Sequence, residues 1–490
     1  MENFISIVEK VNGAINSAVW GPYMLVLIVG TGIFMTVGLK FFQISKIGLW
    51  MKNTFGTLFA KKPKKAKESK AITSFQALCT ALGGTVGVGN VVGVTTAIAV
   101  GGPGAVFWMW IAAFFGMMTK YSEIVLGLFY RKKNADGEWN GGAMYYLKEG
   151  FKDKKGLAAI GKVLGVLFAV FCIMASFGIG NMSQINTIAA NMEQVFNINI
   201  WVTGIILLIL MAICALGGLK RIASVTEKFV PFMAIFYIIG SVAILIMNAG
   251  QIGPVFAAIF KGAFGGYAIA GGLVGSVITM GFKRGVFSNE AGLGSSALVH
   301  SAADVKEPVK QGMWGVFEVF VDTIIICTLS ALVILSSGVI NLDTGLVSEA
   351  YAGIKDSVLV TEAFRSSLGV YGEYFAAIAI FFFAFSTVLG WFVYGSNSCR
   401  FLFGKVATAI YKVVFVCFII VGATMNLQLA WDISDTFNGL MAIPNLIGVL
   451  ILSGTVFKLT KNYLSRRKGA DVAPMYSAYD DIQAEMEKAE

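Results

Sequence analysis

The chain has 490 residues, 57% of them hydrophobic and only 13% charged, and carries a formal charge of +10. Soluble domains are about a quarter charged, so the composition excludes an ordinary soluble fold and indicates an all-α polytopic membrane protein. The apolar runs are continuous, which excludes a transmembrane β-barrel with its alternating segments of about ten residues, and a single His excludes a His-rich metal site and leaves little machinery for an enzyme.

The first stretch, "MENFISIVEKVNGAINSAVW", has mixed charge and reads as an amphipathic surface helix with no cleavable signal. A bilayer core about 30 Å thick needs roughly 20 apolar residues per helix. Eleven such spans follow, numbered 0 to 10: 19–42, 71–99, 104–129, 158–191, 201–217, 229–249, 266–300, 311–339, 372–399, 401–424 and 429–457. The expected organisation is an N-terminal segment with an extra transmembrane helix (1–44), a basic loop (45–70), two five-helix units (71–249 and 250–457) and a tail (458–490). The six cysteines all fall within spans and read as buried small hydrophobes.

Lys and Arg accumulate in cytoplasmic loops. Segments 45–70, 130–162, 218–228, 283–310 and 400–405 and the tail beyond 457 together hold 31 of the 38 Lys and Arg residues, against four on the opposite side. This places the N-terminus outside and the C-terminus in the cytoplasm of a multi-pass protein of the cell membrane. The positive charge then follows from topology, with acidic lipid headgroups rather than nucleic acid as its counterpart. The acidic tail "MYSAYDDIQAEMEKAE" reads as a short solvated helix.

Glycine breaks two spans. Span 1 contains "ALGGTVGVGN" at 81–90, and span 6 contains "GGLVGSVITMG" followed by "KRGVFSNEAGLGSS". With span 0 set aside, these spans open the first and second sets of five. An odd number of helices per set inverts the second relative to the first, and interrupted helices at matching places in inverted repeats mark a midplane transporter site. An unwound turn inside a bilayer must line a cavity or bind something. It offers N–H groups that suit a carboxylate and C=O groups that suit a bare cation. Glycine permits the departure from helix and a close approach to the main chain, and Thr85 and Asn90 add side-chain oxygens. The same glycines also fit small-residue packing, but the partner break half a chain away favours a site. Gly87, Gly89 and Gly93 are spaced one residue too long for a dinucleotide fingerprint, with no preceding strand.

Further along, "GGPGAVFWMWIAAFFG" at 101–116, "GNMSQIN" at 181–187, "RGVFSNEAGLGSS" at 284–296, "FVDTIIICT" at 320–328 and "FSTVLGWFVYG" at 385–395 resemble the alanine or glycine:cation symporters, the sodium:alanine symporter family. The likeness spans roughly 15–460. It implies the five-plus-five inverted-repeat fold typified by the leucine transporter, and import of alanine or glycine with Na⁺ or, in some members, a proton. Carried over by position, it implies Na⁺ on the carbonyls of Gly83 and Val86 and the hydroxyls of Ser386 and Thr387, an oxygen set suited to a hard cation. The substrate carboxylate is expected at the N–H groups of Val88 and Gly89, beside Thr85, Gly87 and Asn90. Asn181 and Gln184, three apart on one helix face, are expected at the polar end of the substrate, with Trp391 as a wall. The break in span 6 falls either at Gly271, Gly272 and Ser276 or in "VFSNEAG", the latter bringing Phe287 and Asn289 to the site and Lys283 and Arg284 deep.

Glu123, Glu318 and Asp322 lie in or near spans, where charge is costly. Glu318 and Asp322, four apart, read as a gate, a cation route or partners of loop cations. Asp432 and Asp435 read as solvated. The expected function is a secondary symporter coupling Na⁺ entry to uptake of a small neutral amino acid, alanine or glycine, by alternating access, with no cofactor. A proton-coupled symporter, a channel and a non-transporting sensor are the rival readings.

Overall fold

The computed structural model describes residues 2–58, 71–152, 154–265, 274–354, 356–425 and 427–488. It is turned inside out relative to a soluble protein. Ile205, Ile209 and Ile213 on one helix and Ile235, Ile239 and Ile246 on the next are exposed, whereas Thr80, Asn90, Lys120, Glu318 and Asp322 are buried. Such a surface is stable only against an apolar solvent.

Helix α1 (Glu2–Val19) bends by 41° into α2 (Pro22–Gly38). Span 1 appears as two helices, α3 (Ser74–Thr85) and α4 (Val92–Gly101), inclined by 63°. A capping box opens α3: the Thr73 hydroxyl accepts the Gln76 N–H at 3.1 Å, and Gln76 Oε1 accepts the Thr73 N–H at 3.0 Å. Helix α5 (Ala105–Phe129) leads into a hairpin of β1 (Lys132–Lys133) and β2 (Trp139–Asn140), paired antiparallel with Lys132 opposite Asn140. Helices α6 (Ala158–Phe177) and α7 (Ser183–Phe196) join through a π-helical turn at Gly178–Met182. Helices α8 (Ile200–Ala215), α9 (Gly218–Met247) and α10 (Ile252–Ala263) follow.

The described part of span 6 comprises α11 (Val274–Asn289), a break at 290–296 and one further helical turn, Ala297–His300. Span 7 is α12 (Pro308–Val319), a π-helical stretch at Phe320–Cys327 and α13 (Thr328–Ser336). A short helix, α14 (Asp356–Leu368), with Leu359, Val360, Ala363 and Phe364 buried, precedes α15 (Val370–Thr424). Spans 8 and 9, expected as separate helices, are the two parts of α15, which meet at a kink at Gly404, where a φ of +77° that only glycine adopts readily interrupts the helix. Span 10 ends earlier than expected: α16 (Leu427–Ile451) bends by 57° into α17 (Ser453–Arg466), and a short amphipathic α18 (Asp480–Lys488) closes the described chain.

Among the described residues, five helices are long and apolar enough to cross a bilayer, and up to eight if each of three bent pairs counts as one span. The structure supports a polytopic helical bundle; eleven crossings is a finer count.

Candidate functional site

At the first break, Val86 (φ −77°, ψ 87°) and Gly87 (φ −133°, ψ −152°) leave helical angles, and a single 3₁₀ turn, Val88–Asn90, follows. Asn90 builds the turn. Its Oδ1 accepts the Gly87 N–H at 2.9 Å, and its Nδ2 donates to Asp322 Oδ1 at 2.7 Å. Because the Gly87 N–H has turned to Asn90 and the Asn90 N–H bonds the Gly87 carbonyl at 3.1 Å, the carbonyls of Gly83 and Val86 are left without their helical donors.

Both carbonyls face α15. Thr387 Oγ1 lies 3.1 Å from the Gly83 carbonyl, and Ser386 Oγ lies 3.5 Å from the Val86 carbonyl. The two hydroxyls also lie 3.1 and 2.8 Å from the Phe383 carbonyl. Each hydroxyl has a single proton to divide between the Phe383 carbonyl of its own helix and an orphaned carbonyl of the first break, so the cluster has more lone pairs than donors. That surplus, built from hard neutral oxygens, suits an alkali cation. Gly83, Val86, Ser386 and Thr387 therefore come together, and Phe383, which nothing in the sequence singles out, joins them.

The turn also touches the rest of the expected site. Gln184 Oε1 accepts the Val88 N–H at 3.2 Å. A Cβ on Gly87 would overlap the Thr387 hydroxyl and lie 3.2 Å from Gln184 Oε1. The oxygen cluster and the amide-lined turn are thus adjoining faces of one piece of backbone. Thr85 is buried there, with its hydroxyl 3.3 Å from its own helix carbonyl at Leu82.

Asn181 does not join them. Its Nδ2 donates to the Phe415 carbonyl at 2.7 Å. The π turn at Gly178–Met182 carries more residues per turn than an α-helix. Positions three apart therefore no longer share a face, and Gln184 meets α3 while Asn181 meets the second half of α15.

The second break faces the first. A Cβ on Gly89 would lie 3.2 Å from the Phe287 ring. Asn289 ends α11: its Oδ1 accepts the Ala291 N–H at 3.0 Å, and its Nδ2 donates to Thr323 Oγ1 at 3.1 Å. Glu290 (φ +55°), Gly292 (φ +99°) and Gly294 (φ +75°) then take left-handed angles. Of the alternative location, Gly271 and Gly272 lie outside the described residues, and Ser276 lies within α11.

Trp391 is fully buried, with its Nε1 donating to Glu290 Oε1 at 2.8 Å, and a Cβ on Gly180 would overlap its own Cβ. It closes the space between the π turn and the second break. Glu290 does not stand out in the sequence although it lies inside the quoted "SNEAG". Ser288 does not either: its hydroxyl donates to Asp322 Oδ2 at 2.9 Å, so Asp322 ties the two breaks together.

Charged clusters close both ends. Towards the face bearing most of the Lys and Arg, Lys120 Nζ lies 3.2 Å from Glu318 Oε1 and 2.6 Å from Ser296 Oγ, while His300 Nε2 lies 3.1 Å from Glu318 Oε2. Glu318 is therefore paired with a cation inside a span, not in a loop. Towards the other face, Asp435 is 4% exposed, not solvated, and pairs with Lys283 at 2.7 Å and Arg284 at 3.6 Å. Below them Phe287 stacks on Trp431, with ring centroids 5.4 Å apart. Moving Lys283 and Arg284 to this face leaves 29 Lys and Arg residues on the basic one. Val88, Asn90, Phe287, Trp391, Ser386 and Thr387 are all buried.

A profile of the Sodium:alanine symporter family matches residues 5–477. The chain is 45% identical over 468 residues to the sodium/alanine symporter AgcS of Methanococcus maripaludis, covering 95% of this chain and 98% of that one. It is 36% identical over 480 residues to the probable sodium/glutamine symporter GlnT of Bacillus subtilis, covering 97% and 94%. Among solved structures it is similar to MhsT in complex with L-phenylalanine, with a TM-score of 0.54 at 13% identity, covering 81% of this chain and 98% of that one. At that identity the likeness is one of fold, that of the leucine transporter.

Proposed function

The chain belongs to the sodium:alanine symporter family, and from that premise we propose that it imports a small neutral amino acid, alanine or glycine, driven by Na⁺ entry across the cell membrane. The family is one of transporters, not enzymes. In this reading Na⁺ sits among the carbonyls of Gly83, Val86 and Phe383 and the hydroxyls of Ser386 and Thr387. The substrate carboxylate meets the N–H groups of Val88 and Gly89, beside Thr85 and Gly87, with Gln184 turning from the Val88 N–H to the substrate. Phe287 and Trp391 bound the space, leaving room for a short side chain.

One observation carries the proposal: Gly87 lies against both Thr387 of the oxygen cluster and Gln184 of the amide-lined turn. A cation that orders this turn stabilises the N–H groups a carboxylate needs, and the coupling is reciprocal. The Asp435 cluster is the outer gate and the Lys120–Glu318 cluster the inner one. Eleven crossings, an outside N-terminus and a cytoplasmic C-terminus complete the reading.

Uptake of labelled alanine into liposomes tests it. Saturable uptake driven by a Na⁺ gradient is expected. Uptake that follows only a proton gradient would replace the ion, and a preference for a large amino acid such as glutamine would replace the substrate.

A further inference from the structure

On the basic face, away from the site above, a cleft of about 800 Å³ opens between three distant parts of the chain. Lys52 comes from the segment after α2, Lys306 and Lys310 from the loop entering α12 and its first turn, and Arg466 and Arg467 from the end of α17. Two carboxylates line it, and one of them, Glu307, is taken by Arg466. Among the described residues, Lys52, Lys306, Lys310 and Arg467 have no carboxylate within 4.0 Å. With Arg466 and Glu307 paired, four cations face the one remaining carboxylate, Asp304, and that excess of positive charge around one opening is repulsive unless an anion sits within it.

The chain segment that brings Lys52 also shows where such an anion would come from. Phe41 is 45% exposed, Ile44 57%, Ile47 57% and Phe55 45%, while Trp50 between them is buried. A segment with an outward apolar face and basic residues beside it lies in the plane of a membrane interface. Six further lysines follow in "KKPKKAKESK", residues 61–70.

We propose that this cleft binds the headgroup of an anionic phospholipid, its phosphates held by Lys52, Lys306, Lys310 and Arg467 and its acyl chains lying along Phe41, Ile44, Ile47 and Phe55. Basic pockets at the cytoplasmic end of helical bundles select such lipids. The ligand would join α17 to the loop that enters α12, the helix bearing Glu318.

The test is retention of cardiolipin, read by native mass spectrometry after the full-length protein is extracted from phosphatidylcholine vesicles containing it. The variant Lys52→Ala/Lys306→Ala/Lys310→Ala/Arg467→Ala should lose retention at least about tenfold, since each cation near a membrane surface is worth roughly 1 kcal/mol. Its melting temperature in lipid-free detergent should match the parent's. Lys154→Ala/Lys155→Ala/Lys162→Ala, which removes exposed cations from the loop before α6 and its first turns, should retain cardiolipin fully. Equal loss in this control would show a diffuse charge effect and overturn the site, as would full retention by the fourfold variant. Should the fourfold variant not fold, the exposed pair Lys52→Ala/Lys310→Ala carries the same expectation. Stabilisation of the lipid-free parent by inorganic pyrophosphate as strong as by cardiolipin would identify a soluble polyanion instead and overturn the lipid assignment.

Discussion

Gly87 and Gly93 lie six residues apart in one glycine-rich run yet carry opposite expectations. A Cβ on Gly87 would overlap the Thr387 hydroxyl, whereas one on Gly93 meets nothing within 4 Å. Gly87→Ala should therefore weaken Na⁺-dependent alanine binding by about tenfold to a hundredfold, the cost of overpacking by 1–3 kcal/mol. Gly93→Ala should leave binding unchanged, and equilibrium binding of both variants decides the matter. Ser386→Ala and Thr387→Ala each delete one hydroxyl from the oxygen cluster. Each should raise the Na⁺ concentration for half-maximal uptake about tenfold, given roughly 1–3 kcal/mol per lost partner. The residues of the first break are legible because Gly83, Gly84, Gly87 and Gly89 crowd into one short apolar run, weakening a helix more than close packing alone requires. Asn181 is misplaced because helical periodicity does not announce a π turn, and Glu290 escapes notice because its indole partner, Trp391, is 101 residues away.

At the scale of elements, the first break and the alternation of spans and basic loops are readable from the sequence, and their ends are less so. Spans 8 and 9 are two helices, as expected, but the turn between them falls at Gly404, where one glycine at positive φ redirects the chain without a loop. The hairpin after α5 is too short to leave a strand pattern. It docks instead through charge: Asp136 meets Lys405 at 2.6 Å and Arg400 at 2.5 Å, and these bonds hold its carboxyl below the usual carboxylate range. A depressed carboxylate stabilises the docked form above its ordinary pKa and loses that effect as pH falls through the lowered value. Amide protection of residues 132–140, taken relative to the intrinsic exchange rate at each pH, should therefore fall on acidification in the parent, and should be low and insensitive to this titration in Asp136→Asn. In the buried cluster between α5 and α12, Lys120→Met alone strands Glu318 and should cost about 3–5 kcal/mol, seen as lost folded protein. Adding Glu318→Gln should recover most of the yield; no recovery would mean that the pair does more than neutralise itself.

Over the whole molecule, two unwound turns face each other between two charged closures. The outward-facing isoleucines and the inward-facing polar residues fit that arrangement to a bilayer. The class, a polytopic helical membrane protein, is legible because membrane solvation forces long apolar runs. Which break in span 6 completes the site is not, since either glycine-rich stretch satisfies the same composition; Gly89 lies against Phe287 of the second stretch, while Gly271 and Gly272 lie outside the described residues. The central claim is that cation and amino acid bind to the same unwound turn and help each other there. The most direct measurement is alanine affinity of the purified protein by calorimetry across a range of Na⁺ concentrations, repeated with Thr387→Ala. The account predicts that alanine binding tightens with Na⁺ in the parent, and that Thr387→Ala shifts this dependence to higher Na⁺ while the affinity at saturating Na⁺ is largely recovered. Alanine affinity independent of Na⁺ in the parent would contradict it.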